Sequence, residues 1–413
     1  MKTWTAIGVA AMFSLGCGES RTKLISVEEN LRVEKWSLSS SDFPFQGGGN
    51  WSIQKRTLHG GSQEGVDVID VDNGTLQFRV IPTRGMSIHR VTSGDVTLGW
   101  SSPVKQIVHP KHVDLQDHGG QGWLAGFNEW MVRCGISFAG HPGKDDGLLL
   151  TLHGRVGNIP ASEVEVIVDQ EPPHRIRVRG LVEERMFKFG VFELWTEIST
   201  NPGSSTIRIK DTLTNKSAYE QEYQMIYHAN YGQPLLEEGS TFLAPVKEIY
   251  PFDDYAAADL PTYQNYLGPT NGYGEQVYCI VPHSDNQGMS LAMLTNATGT
   301  RGVAMRYTTD TLPFLTLWKN TDTTEDGYVT GLEPGTGFPY NRVVEREAKR
   351  LRTLEPGEQV RFVVETTILS NQAAVDSTRQ DITEIQQTAA PKIITTPPTP
   401  KVQGEQTDEK LVQ

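Results

Sequence analysis

Cysteine is scarce in this chain of 413 residues, with three in all, at positions 17, 134 and 279. No CxxC pair and no HExxH run occurs, which removes the strong zinc spacings. No Lys/Arg-rich tract appears and the formal net charge is −13, a poor match to nucleic acid. After residue 16 no apolar run is long enough to cross a bilayer. Convincing amphipathic helices are missing, and no fixed-period repeat marks a propeller or solenoid. What the chain does have is 40 Gly and 23 Pro spread along its length, as many strands joined by many turns require.

The dominant pattern is apolar alternation with period two, broken by turn residues roughly every eight to fifteen positions. Val66, Val68 and Asp70 share one strand face and run into the hairpin turn Asp72-Asn73-Gly74. Leu76, Phe78 and Val80 alternate out of it. Further strands are expected at Leu148–Leu152, Val164–Val168, Arg175–Leu181, Phe192–Ser199, Thr206–Leu213, Met289–Leu294, Gly302–Tyr307, Phe314–Trp318 and Gln359–Leu369. The expected fold is all-β: one large antiparallel β-sandwich over residues 59–370, without an internal linker. Export permits a disulfide between Cys134 and Cys279, although two scattered cysteines in a large domain are more often buried free thiols.

The ends read differently. Lys2 is the only charge before the small, apolar run Ala6–Gly16, which ends Ser14-Leu15-Gly16-Cys17. This resembles a bacterial lipoprotein signal, with 1–16 as the signal peptide and Cys17 as the lipidated first residue. Removing the segment that holds Lys2 takes the net charge from −13 to −14. An exported protein held in the periplasm or at the outer membrane follows, touching membrane only through its lipid anchor. Residues 17–58 form a lead-in segment. Residues 371–413 form a polar, largely disordered tail with a short helix around Asp376–Gln387.

The run Gly331–Arg342, GLEPGTGFPYNR, sets one carboxylate, Glu333, among turn-formers. Pro334, Gly335, Gly337 and Pro339 predict an irregular loop rather than a helix or a central strand. Such a loop either holds an acid in a fixed orientation or leaves it solvated at the surface. Of ten histidines, two stand out. His153 ends the apolar run Leu148–Leu152, and His228 lies in MIYHANYGQP between Tyr227 and Tyr231. Taken singly, each is read as a satisfied structural histidine. His109, His112 and His118 sit in a Gly-rich loop without zinc spacing and are taken as solvated, so no metal is assigned.

Taken in order, these pieces resemble the aldose 1-epimerase (galactose mutarotase-like) superfamily, in particular its DUF4432 branch. The blocks are GWLAGFNEWMVRCG (Gly122–Gly135), LTLHGRVGNIPA (Leu150–Ala161), YHANYGQP (Tyr227–Pro234) and LEPGTGFPYN (Leu332–Asn341). The upstream IPTRGMSIHRV (Ile81–Val91) is typical of the branch. The resemblance covers roughly residues 60–370 and implies the family's sandwich. It makes Glu333 the catalytic base, His228 the acid and His153 its helper. It puts Arg133 on the sugar and lets Arg84 face the same cleft. Two departures stand out: Val132 precedes Arg133 where an Asn is usual, and LHGG reads LHGR, so Arg155 is expected to influence which sugar fits. Trp123 and Tyr340 are expected to stack on the sugar.

The implied chemistry is mutarotation. One group takes the proton of the C1 hydroxyl while another protonates the ring oxygen, and no cofactor is needed. Two rivals remain open. The same acid and base can perform β-elimination on a uronic or oxidised sugar, with Arg133 and Arg155 holding its carboxylate and the His109–His118 loop able to hold a metal. Alternatively, the pocket binds a glycan without turning it over.

Overall fold

The computed structural model describes residues 14–16, 18–43, 49–387 and 389–399. Cys17 and residues 1–13 of the expected leader lie outside the described residues. Ser14–Gly16 is a short strand paired with Glu19–Ser26.

Two sheets face each other across one core. Among the described residues, one sheet has eleven strands and the other fourteen. The centre of the first is a meander of long antiparallel strands: Glu163–Asp169, Ile176–Arg185, Val191–Thr200 and Thr206–Asn215. Gln359–Leu369 then pairs with the last of these, and Gly302–Thr308 with it in turn. The second sheet runs through Gln276–Pro282, Phe314–Asn320, Val329–Gly335, Gln221–Tyr231, Met131–Ile136 and Ser87–Ser93. Its far edge is built of the hairpins around residues 36–81. Side chains from both sheets, such as Val71 and Ile53 against Val164 and Val178, interleave in a single buried cluster. Alternation explains the arrangement, since every second residue of a strand turns to the partner sheet.

The expected strands are present, most of them extended by one to a few residues, except that Leu148–Leu152 is shortened to Leu148–Leu150 and pairs only with Gly143–Asp145 in a separate hairpin. Gln359–Leu369 is observed with the expected bounds. Cys134 and Cys279 are buried free thiols. Three expectations are corrected. The described part of the lead-in, 18–43 and 49–58, belongs to the sandwich, because Glu19–Ser26 buries alternate residues and pairs along Glu163–Asp169 and Ser52–Thr57 pairs with Asp67–Asp72. The tail from 371 is ordered through most of its described part. Asn371 caps a helix at Gln372–Gln386 whose Val375, Ile382 and Ile385 cover Leu291 and Met293. Lys392–Ile393 then adds a parallel strand to Val246–Pro251. Its polar composition conceals a narrow apolar stripe that has a sheet to cover.

The third correction concerns Glu333. It lies on the central strand Val329–Gly335, not in a loop. The ladder to Gln221–Tyr231 holds Ile226 opposite Gly335 and resumes at Ala229 opposite Leu332. Between them, Pro334 has no N–H to give. On the other side Pro334 and Glu333 stay in register with Leu315 and Thr316. The proline is tolerated because the break falls on only two positions.

Candidate active site

That break is where the chemistry gathers. The same register places His228 opposite Glu333 on adjacent strands. Val132 lies beyond His228 and Thr316 beyond Glu333, so one row crosses four strands. The row faces away from the inter-sheet core, and the segment Gln121–Phe127 and His153 cover it. A cavity of about 150 Å³ is left between. His228, Glu333, Thr316, His153, Trp123 and Trp318 line it, together with Phe127, His141 and Glu275.

His228 Nε2 lies 3.3 Å from Glu333 Oε1, and the two side chains are 5% and 2% exposed. The contact is within ion-pair distance but not hydrogen-bond geometry, so Oε1 has no donor. Nδ1 of His228, Nδ1 of His153 and Nε1 of Trp123 are buried without partners as well. Buried polar atoms normally find partners, and a concentration of orphans around a cavity marks a place built for a polar guest.

Local sequence explains the aim of each group. A Cβ at Gly331 would come 2.3 Å from Glu333 Oε1, so the glycine is what lets the carboxyl fold back along its own strand. His153 has φ +58° and Gly154 φ +72°, two successive left-handed residues that turn the imidazole over the sheet. A Cβ at Gly154 would meet the carbonyl oxygens of Phe138 and Gly135 at 2.2 and 2.3 Å, which fixes that turn. The rings then pack edge to face: His153 and His228 at 5.1 Å, Trp123 and His153 at 4.7 Å, Phe127 and His228 at 5.3 Å.

Burial sets the protonation states. It pushes the Glu333 carboxyl well above the usual carboxylate range, and the charge of Glu275 adds to the rise. It pushes His228 down to about 3, against a weaker opposing contribution from Asn230. His153 is lowered well below its ordinary value by burial and then by the neighbouring His228 and His141. Both directions favour the uncharged forms, a carboxylic acid beside a neutral imidazole, whereas the resemblance makes Glu333 the base and His228 the acid.

The structure brings Glu333, His228, His153 and Trp123 together and takes four other expected residues elsewhere. Arg133 points to the opposite face of its strand. It is fully buried between the sheets, paired with Asp211, and Tyr227 Oη donates to the same carboxylate at 2.6 Å. Arg84 is also fully buried, with Nε 2.6 Å from Glu129 and Nη1 bonded to Val108 O and Asn158 Oδ1. Arg155 lines a separate, larger cavity. Tyr340 stacks on Phe252 at 4.1 Å and donates to its carbonyl. Hence, among the described residues, no Arg or Lys lines the small cavity. Without a cation there, the basis for an anionic sugar in that cavity is gone.

Sequence reasoning missed His141, Glu275, Thr316 and Trp318. Trp318 Nε1 donates to Glu275 Oε2 at 2.8 Å, placing a second carboxylate at the mouth. Thr316 and Trp318 were detectable as same-face residues of an expected strand. Glu275 precedes its strand and carries no local signal.

The family described as Domain of unknown function (DUF4432) matches residues 63–368. The chain belongs to the DUF4432 family. A solved protein of Klebsiella pneumoniae subsp. pneumoniae, provisionally named an aldose 1-epimerase, is 42% identical to this DUF4432 protein. Its TM-score is 0.90, with 92% of this chain and 99% of that one covered. A galactose mutarotase-like protein of Clostridium acetobutylicum shares the fold at 15% identity and TM-score 0.52, covering 76% of this chain and 98% of its own. A galactose mutarotase related enzyme of Lactobacillus acidophilus does so at 15% identity and TM-score 0.50, covering 74% and 98%. No curated protein matches the chain. The fold is the galactose mutarotase-like sandwich, and the likeness supports a mutarotase-like function and a sugar substrate.

Proposed function

We propose that this protein is an aldose 1-epimerase-like isomerase that interconverts the anomers of a monosaccharide by acid–base ring opening. The observation that carries the reading is the buried His228–Glu333 pair, 3.3 Å apart and in register on adjacent strands. The cavity between its aromatic walls is about 150 Å³, below the usual 300–1,000 Å³ of ligand sites, and suits one small ring rather than a chain.

Ring opening needs one proton removed from the C1 hydroxyl and one delivered to the ring oxygen. A neutral imidazole accepts and a carboxylic acid donates, leaving imidazolium and carboxylate side by side. The C1–C2 bond rotates, and closure returns both protons. The pair thus alternates between two forms that hold the same number of protons. The side chain that plays acid in opening plays base in closing, and the cycle starts equally from the charge-separated form. His153 and Glu275 are positioned to bind sugar hydroxyls, and Trp123 and Trp318 to cover the apolar sugar face.

Polarimetry tests this. Fresh α-glucose or α-galactose should reach its equilibrium rotation faster with protein than without. Glu333→Gln should lose about 10²–10⁴-fold, the usual share of one acid–base group, while still binding sugar. Sugar binding without any acceleration on a panel of aldoses would instead make the protein a binding module.

A further inference from the structure

A second cavity, of about 950 Å³, lies on the far side of the segment Leu148–His153. That segment turns Leu152 and His153 to the small pocket and Leu148, Leu149, Leu150 and Thr151 to the large one. Unlike the first cavity, the second is walled by flexible and aliphatic side chains. Leu148 and Leu149 remain 47% and 38% exposed there, and Met186 and Phe189 of the facing hairpin 45% and 47%. Large apolar side chains collected around a cavity, and left in water, mark a binding surface.

The same cavity is lined by two cations, Arg155 and Lys188, that the protein pairs only in part. Arg155 lines it with Nε buried and unpartnered. Its Nη2 is 3.7 Å from Glu184 Oε1, within ion-pair distance but too long for a hydrogen bond, and its Nη1 meets Met186 Sδ at 3.6 Å. Glu184 is already committed to the backbone N–H groups of Ile136 and Ser137 and to the Ser137 hydroxyl. Lys188, at the hairpin tip, has no carboxylate within ion-pair distance among the described residues, and its Nζ rests 5.6 Å from the Phe187 ring centroid. Of the other lining charges, all but Asp114 are matched by an opposite charge. Lys216 pairs with Glu193, Arg342 with Asp145, and Glu222 with Arg346. Asp114 caps the backbone of Gln116.

We propose that this second cavity binds an amphiphilic anion, an elongated apolar body ending in a carboxylate, phosphate or sulfate held by Arg155 and Lys188. Its volume sits at the upper end of small-molecule sites. The site is separate from the His228 pocket and stands or falls independently of the epimerase reading.

Calorimetric titration of the full chain with monomeric dodecanoate tests it. Saturable one-site binding is expected, tighter than that of dodecyltrimethylammonium, which has the same tail and the opposite charge. Lys188→Glu and Arg155→Met should each weaken dodecanoate by about ten-fold or more, the value of a charge-assisted contact. Leu149→Asp, at a half-exposed position that tolerates a polar residue, should abolish it. Excess galactose should not compete. Equal affinity for the two amphiphiles, or indifference to Lys188→Glu and Leu149→Asp, would overturn the proposal. So would binding to anionic phospholipid vesicles without saturable binding of the monomer, because the hairpin would then be a membrane contact rather than one wall of a ligand site.

Discussion

Burial moves Glu333 and His228 in opposite directions, and each shift leaves its own mark on pH dependence. A carboxyl raised in the folded state contributes stability that is complete below its ordinary value of 4.5. That stability is lost as pH rises through the raised value. Glu333→Gln cannot ionise, so thermal melts should show it gaining on the wild type as pH climbs above 4.5. The same variant loses turnover. A gain in stability at the cost of activity is the signature of a strained functional group, and a Glu333→Gln protein less stable at mildly alkaline pH would contradict the assigned ionisation. His228 is the reverse case. Its stability contribution is present above 6.5 and is lost as pH falls toward about 3. In kcat/KM the acidic limb should fall near that lowered value rather than near 6.5, and His228→Asn should remove it. Both residues were legible from their blocks of sequence. Their protonation was not, because a pKa depends on walls such as Trp123 and Phe127 that come from distant segments.

At the scale of elements, one strand does most to define the site. Val329–Gly335 holds a glycine, a carboxylate and a proline within four consecutive positions, and each has a separate task. Gly331 makes room for the carboxyl, Glu333 carries it, and Pro334 opens the ladder beside His228. Gly331→Ala should therefore leave the fold intact yet displace the Glu333 carboxyl, since the new methyl group would sit 2.3 Å from Oε1. Anomer exchange should drop by roughly the factor that losing one acid–base group costs, about 10²–10⁴-fold, while melting changes little. Wild-type turnover in this variant would show that the carboxyl has another place to go. The alternating strands were readable because burial follows period two. This strand was not, since it is buried on both faces and its Pro and Gly imitate a loop. The helix at Gln372–Gln386 was readable only in outline. Its partner surface at Leu291 and Met293 lies some eighty residues back and leaves no trace nearby in the sequence.

At the scale of the whole molecule, two questions concern what holds the protein in place and what holds it together. If Cys17 carries a lipid, the wild type should sediment with membranes and Cys17→Ser should be released as soluble, active protein. A wild type found free in the periplasmic fraction would refute the anchor. The second question turns on Arg133, which the resemblance puts on the sugar and the structure puts between the sheets. A one-residue shift in strand facing separates the two assignments, and a strand apolar on both sides does not reveal which face is which. Arg133 spans the sandwich to Asp211, with Tyr227 Oη on the same carboxylate. Removing one partner of a buried ion pair strands the other and typically costs about 3–5 kcal/mol, a large share of the 5–15 kcal/mol that hold a domain folded. Arg133→Met should thus lower the melting temperature sharply. In the fraction that stays folded at low temperature, the KM for sugar should remain near the wild-type value. Replacing both partners, Arg133→Met with Asp211→Leu, leaves no stranded charge and should recover much of the lost stability. A residue that gripped the sugar would behave otherwise: its loss would raise KM, and no substitution at Asp211 would bring it back.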